Sequence, residues 1–372
     1  MVLRFYPKKD ATIYEYYPIR NTGLDAILDI SKTTVDTDNY NSRILIDFDL
    51  QEIINKITTN NYANGSAAAF RYRLKLYVSE ANEIPADYSL YCYAVSQSWN
   101  MGLGRFSNSP QTTTGVSWRY RLTEDDATTK WTTGSYNTNT TASWTTTAGG
   151  ATWYTSSAAS QSFSYTTSDV SMDITDVVLP YVNGTYSPSS FNGLIIKKSD
   201  SDESSTNIFN SLKFFSKDTH TIYLPVLEAL YDASTQAGSL NTVNTTQDYS
   251  VIPVNLKPSY NETSTPIIRV SARPKYPEDT FATSSGYLTR YKLPASSSYA
   301  IYAANTDDVF LDFSDYTKVS SDAESSYFKL HLDSFQPERY YRLVLKVPYS
   351  GSTNLDEYNI HDEQWIFKVT RK

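Results

Sequence analysis

A two-residue alternation of apolar and polar side chains runs through most of this chain and restricts it to sheet structures. Arg71-Tyr72-Arg73-Leu74-Lys75-Leu76-Tyr77-Val78 sets basic and apolar residues in turn, as in a strand with one face in a core. Residues 42–48, 193–197, 212–215 and 224–227 read as more deeply buried strands. Further strands are predicted at 266–270, 299–302, 309–313, 327–332, 340–347 and 364–369. Turn residues interrupt these runs at short intervals, which is the layout of β-sandwiches. The 32 Tyr, 15 Phe and 6 Trp among 372 residues, with abundant Thr, favour strands further. The expectation is an all-β protein.

Helical signals are few. Asp49 is placed to cap a turn carrying Leu50, Ile53, Ile54 and Ile57, and a second short helix is predicted from Asp173 through Val177, Val178 and Tyr181 to Asn183-Gly184. Two stretches lack periodicity. Residues 108–168 are rich in Thr and Ser and carry Trp118, Trp131, Trp144, Trp153 and Tyr154, which predicts a long loop with embedded hairpins. Residues 233–250 are polar and read as a linker between a domain at 1–232 and another at 251–372.

Charge and chemistry narrow the function. With 32 basic and 40 acidic residues the net charge is -8, and no basic stripe for nucleic acid is present. No apolar run reaches the roughly 20 residues of a membrane helix, and the first residues lack the apolar core of a signal peptide. One cysteine, Cys92, cannot form an intrachain disulfide, and it joins 3 His too few for a zinc cage. Synthesis in a reducing cytoplasm is expected. His220, His331 and His361 stand without a Gly-x-Ser-x-Gly elbow, and no phosphate loop or dinucleotide fingerprint occurs, so no enzyme is expected. Asp47/Asp49, Asp125/Asp126 and Asp200/Asp202/Glu203 read as solvated loops, with a structural Ca²⁺ as the alternative and no other cofactor. The five Asn-x-Ser/Thr patterns, at Asn64, Asn139, Asn183, Asn244 and Asn261, read as chance in so Thr-rich a chain. The aromatic set Trp118, Trp131, Trp144, Trp153 and Tyr154 suits a core, a protein interface or a sugar-stacking platform.

Asp10-Ala11-Thr12-Ile13, then Asn21-Thr22-Gly23, then the run from Ser42 to Leu50 form a set of ordered pieces. The set resembles the DNRLRE-type β-sandwich modules, relatives of jelly-roll carbohydrate-binding modules: the first piece is similar to their opening strand and the second to the Asn-x-Gly that follows it. Ser42-Arg43-Ile44-Leu45-Ile46-Asp47-Phe48-Asp49-Leu50 is similar to the family's central motif. Trp99, Trp118, the stretch 172–178, Gly193-Leu194-Ile195-Ile196, Phe214-Phe215-Ser216 and Pro225-Val226-Leu227 follow in the family's order. The resemblance implies a jelly-roll-like β-sandwich over 1–232, with the 108–168 stretch as an insertion and a smaller Ig-like β-sandwich after it. In that setting Arg43, inside an apolar strand, would form a structural ion pair with an acid such as Asp10 or Asp173.

The whole chain also resembles virion structural proteins of large tailed bacteriophages, through its abundant Tyr, Thr and Ser, its scarce Cys, and pieces such as Ser334 to Leu343 and Arg273 to Pro277. This second resemblance implies a non-enzymatic virion component, assembled in the host cytoplasm at the neck, tail or baseplate. Its partners would be other virion proteins, in multiple copies of a symmetric assembly, with no nucleic acid and no membrane. The alternative is a carbohydrate-binding adhesin that attaches to a host glycan.

Overall fold

The computed structural model describes residues 1–36, 38–81, 88–123, 129–131, 149–163, 169–206, 211–277, 289–349 and 357–371. Strands β1 (Val2–Phe5), β2 (Lys9–Tyr14), β3 (Ile27–Ile30), β4 (Lys32–Val35) and β5 (Asp38–Asp47) lead into α1 (Leu50–Thr59). Then come β6 (Arg71–Leu76), β7 (Val78–Ala81), β8 (Tyr88–Ala94), β9 (Ala159–Phe163), β10 (Val170–Asp173) and α2 (Thr175–Val182). β11 (Leu194–Lys198), α3 (Asp200–Ser204), β12 (Leu212–Phe215) and β13 (Val226–Leu230) follow. The architecture is nearly all β, and the chain divides into Arg4–Ala229 and a second unit of Leu230–Lys372 with Met1–Leu3. Among the described residues no helix is long and apolar enough to cross a membrane.

In the first unit the sheets run β1–β13–β6–β10, β3–β12–β7 and β2–β5–β11–β8–β9, with β4 on β5. The alternation read in the sequence is visible in β6, where Tyr72, Leu74 and Leu76 are buried and Arg71 is exposed. β5 is different: it is buried continuously from Asn41 to Asp47 because both of its faces are covered. Register places Ile44 opposite Ile196 and Ile46 opposite Leu194, so these share one face with Cys92 and Ala94. Arg43 and Leu45 point to the other face, with Ile13 and Ile195.

The helices follow their local chemistry. Asp49 accepts from the Glu52 amide at 3.1 Å, and Leu50, Ile53 and Ile57 are buried beneath α1. α2 starts two residues later than expected, because Asp173 stays in β10 and accepts from the Thr175 amide at 2.9 Å. α3 has no apolar periodicity and was not predicted.

The second unit continues with β14 (Asn241–Thr242), β15 (Tyr249–Pro253), β16 (Ser259–Asn261), β17 (Ile267–Pro274), β18 (Tyr291–Lys292) and β19 (Ser298–Ala303). It ends with β20 (Val309–Leu311), β21 (Ser320–Ser321), β22 (Ser326–Lys329), β23 (Arg339–Pro348) and β24 (Tyr358–Thr370). Two sheets, β14–β18–β17–β22–β21 with β15 on β17, and β16–β24–β23–β19–β20, enclose one core. Tyr299 and Phe328 stack across it at 4.0 Å. Residues 233–250, expected as a linker, belong to this unit instead. Gln236 accepts from the Ser321 hydroxyl at 2.8 Å, β14 pairs with β18, and Val243 is fully buried. Their side chains look solvated in the sequence because the strands they form lie at edges, while their backbone groups are paired.

Candidate functional site

Arg43 is fully buried on the face of β5 that it shares with Leu45. Its acid is Glu203 of α3, not Asp10 or Asp173. Nε lies 3.1 Å from one carboxylate oxygen and Nη2 2.7 Å from the other, while Nη1 donates to the Gly150 carbonyl at 2.5 Å. Lys197 of β11 completes the cluster, 3.1 Å from Glu203 and 2.6 Å from Asp200. Burial alone would raise the Glu203 carboxyl; the Arg43 guanidinium and then the Lys197 ammonium outweigh it and hold it below the usual carboxylate value. The acid run Asp200/Asp202/Glu203 is therefore not a solvated loop, since its last member anchors α3 inside the protein. Asp10 is buried elsewhere, accepting from the Lys217 amide at 2.7 Å, and burial pushes it up to about 7. Asp173 is exposed and faces Arg71 at 3.5 Å. Of the other paired acids, Asp47 takes Lys8 and Lys9 at 3.1 and 3.4 Å and Asp49 caps α1. Asp125/Asp126 lie outside the described residues. Among the described residues no group of three acidic, His or Cys side chains gathers as metal ligands would.

The insertion supplies a second core rather than a platform. Trp118, Trp131 and Trp153 are at most 7 % exposed and pack with Trp99, Val95, Val116 and Ala151 onto Ala11, Ile13, Leu45 and Ile195. The guanidinium of Arg43 lies 4.8 Å from the Trp118 ring and 5.1 Å from Trp153. These rings are buried in the folded state. Tyr154 is half-buried, its amide donating to the Ala94 carbonyl at 2.9 Å, and Trp144 lies outside the described residues. Asn21 ties the insertion to the chain just before it: its amide donates to the carbonyls of Met101 and Val116 and accepts from the Gly104 amide. That is the physical content of the Asn-x-Gly piece.

Among the described residues a groove of about 320 Å³ lies beside α3, bordered by Tyr88, Ser89, Tyr91, Ser162, Ser199 and Asp202. The strand ends shape one wall: Tyr88 stacks on Phe163 directly across β8–β9, at 5.0 Å and 9°. Ser89 and Ser162 join hydroxyls at 2.9 Å. The opposite wall is the start of α3, where Ser199 accepts from the Asp202 amide at 3.0 Å and donates to its carboxylate at 2.6 Å. Lys32 closes the far end of α3 by donating to the carbonyls of Asp202 and Ser205. Successive residues of α3 thus face opposite ways, Asp202 to the groove and Glu203 to the buried cations.

An aromatic path links the groove to that cluster. Tyr91 stacks on Tyr93 at 6.3 Å and 12°, and Tyr93 leans on Trp153 at 6.1 Å. Among the described residues the buried Tyr88 hydroxyl has no hydrogen-bond partner. Flat rings beside hydroxyls and a carboxylate make a surface that can stack on an apolar ring face and exchange hydrogen bonds with its edge.

Residues 2–124 match the model of carbohydrate-binding module family 96. No curated protein matches the chain. The match and the sheets agree on a carbohydrate-binding-module-like β-sandwich in the first unit. Tyr88, Ser89 and Tyr91 of the groove fall inside the matched span; Ser162, Ser199 and Asp202 are added by chain beyond it. Sequence reasoning named Asp202 only as part of a solvated acidic loop, and it passed over Tyr88, Ser89, Tyr91, Ser162 and Ser199 because it took the sugar-stacking signal to be the Trp-rich set with Tyr154. The i, i+2 spacing of Tyr91 and Tyr93 in a strand, which puts both rings on one face, is the signal that was there to use.

Proposed function

We propose that the first unit is a non-catalytic carbohydrate-binding module and that the groove between Tyr88/Tyr91 and Asp202 holds the sugar. The observation that carries this is the coincidence of the family match with an open aromatic and hydroxyl-lined groove on the same sheet. A sugar ring would lie against Tyr91, with its hydroxyls meeting Ser89, Ser162 and the Asp202 carboxylate. The host-glycan alternative from the sequence thereby gains support, through different residues from the tryptophans first considered. The test is affinity electrophoresis and calorimetry of the full chain against a panel of polysaccharides. Tyr91→Ala and Asp202→Ala are each expected to weaken binding at least tenfold without lowering the melting temperature. Unchanged affinity in both variants, or no retention by any polysaccharide, would overturn this assignment.

A second reading keeps the chain as a structural component of a tailed-phage virion. It is supported by the surface of β23 and β24, where Tyr340, Tyr358, Ile360 and Ile366 are exposed. β24 spans Tyr358–Thr370, yet β16 pairs only with Lys368 to Thr370 on its outer side. A low-resolution map of an intact particle with this chain labelled tests it; a particle lacking the label would refute it.

A further inference from the structure

The Leu230–Lys372 part of the second unit lies outside the matched span and carries a cleft of its own, about 480 Å³ in volume. Three pieces of chain build it: the turn before β19, the loop 313–318, and the facing ends of β23 and β24. Register sets Lys346 opposite Ser298 and Tyr358 opposite Pro348, so the two strand ends present one lysine and one ring to the cleft. The Lys346 ammonium sits 3.8 Å over the Tyr358 ring and 5.9 Å from Phe313, and among the described residues it has no carboxylate partner. The loop is fixed by a capping box, Ser314 with Thr317, and by the Lys318–Asp315 pair at 3.0 Å. Glu357 is on the rim.

The chemistry of the lining selects among ligand classes. A simple anion would meet Asp315 and Glu357; a simple cation would meet Lys318 and Lys346. A wholly apolar ligand would strip water from two ammonium groups without replacing their hydrogen bonds, which costs more than the ring contacts return. A neutral polyhydroxylated ring uses all of it: its C–H face against Phe313 and Tyr358, its hydroxyls accepting from Lys346 and donating to the carboxylates. Lys346 is the suitable donor because a lysine held over a ring, and not by an acid, loses little when it turns to a new acceptor.

We propose that this cleft is a second carbohydrate site, for a neutral oligosaccharide, so that one chain carries two sugar-binding surfaces of different make. The site goes beyond the first unit's groove and does not depend on it. The probes are the hexasaccharides of cellulose, laminarin, mannan and chitin, titrated by calorimetry and by saturation-transfer NMR against four full-length proteins. These are the unaltered chain, a groove variant (Tyr91→Ala with Asp202→Ala), a cleft variant (Lys346→Gln with Tyr358→Ala), and Tyr358→Phe. At least one hexasaccharide is expected to bind the unaltered chain and the groove variant alike, to bind the cleft variant at least tenfold more weakly, and to keep its affinity for Tyr358→Phe, which retains the ring. The substituted side chains are partly exposed, so melting curves should coincide. The cleft assignment is overturned if no hexasaccharide survives in the groove variant, or if the cleft variant binds all of them as the unaltered chain does. Either outcome leaves the groove to be judged by its own variants.

Discussion

Removing the Arg43 guanidinium is the most informative single perturbation of the first unit. Arg43→Ala takes away a two-point ion pair with Glu203, a hydrogen bond to Gly150 and contacts with two indole rings, all without access to water. Breaking one partner out of a buried pair costs about 3–5 kcal/mol. Lys197 stays 3.1 Å from Glu203, so the carboxylate keeps one counter-charge and the electrostatic part falls toward the low end. The void adds to it: about 80 Å³ of lost side chain at about 24 cal/mol per Å³ contributes roughly 2 kcal/mol before relaxation. We therefore expect about 5 kcal/mol for Arg43→Ala. Arg43→Met refills the space but removes the same charge, so it should cost about 3 kcal/mol. Glu203→Gln should cost at least as much as Arg43→Ala, because it removes the one anion shared by two buried cations. Urea unfolding of the full chain followed by tryptophan fluorescence reads the order directly, since five of the six tryptophans lie in the first unit. Arg43→Ala within about 0.5 kcal/mol of the unaltered chain, or Arg43→Met the more damaging of the two, would refute the reasoning; so large a departure exceeds the usual scatter of surface substitutions.

Three further outcomes follow from the same unit. The folded-state value of Asp10 is raised to about 7 by burial, so the unaltered chain binds a proton on folding and loses stability as pH climbs from about 4 to 7; Asp10→Asn should be near neutral at pH 4 and gain a few kcal/mol by pH 8 in thermal melts. Glu203 has the opposite sign, its stabilisation being present above the unfolded carboxylate value and lost as pH falls through the lower folded one, so Glu203→Gln should flatten the acid limb of the same melts. Gly150→Ala forces a side chain onto a backbone at φ +87° with its new carbon 2.4 Å from the Arg43 guanidinium, and should lower stability by about 2 kcal/mol or more in urea titration.

The strands were legible and the partners were not. β6 and α1 declared themselves because their buried faces repeat at two and at roughly three and a half residues, and that period is a property of local sequence. Arg43 stood out as a charge inside an apolar run, but its acid is 160 positions away in a Ser- and Asp-rich stretch that looks like a solvated turn. Only the register of β5 on β11 puts Glu203 within reach. The tryptophans were ambiguous for a related reason: residues 108–168 carry no periodicity, so nothing local says whether a ring faces a sheet or water. The 233–250 segment misled in the other direction, its polar side chains hiding a backbone that pairs along the second unit's sheet.

The position of Glu203 in the chain has a consequence for how the first unit comes into being. A ribosome that has finished residue 124 has made the whole span that matches the carbohydrate-binding family, yet β11, which separates β5 from β8, does not exist. At that stage two central strands have open edges and Arg43 has no anion to bury against. Docking of α3 is then a closing step, one that seats a cation, an acid and two indoles together and covers the exposed edges late in synthesis. Excising 2–124 as a free module would freeze the chain at the earlier stage. A piece expected to fold by itself keeps β1 and runs on through α3 to the end of β13, from Val2 to Leu230.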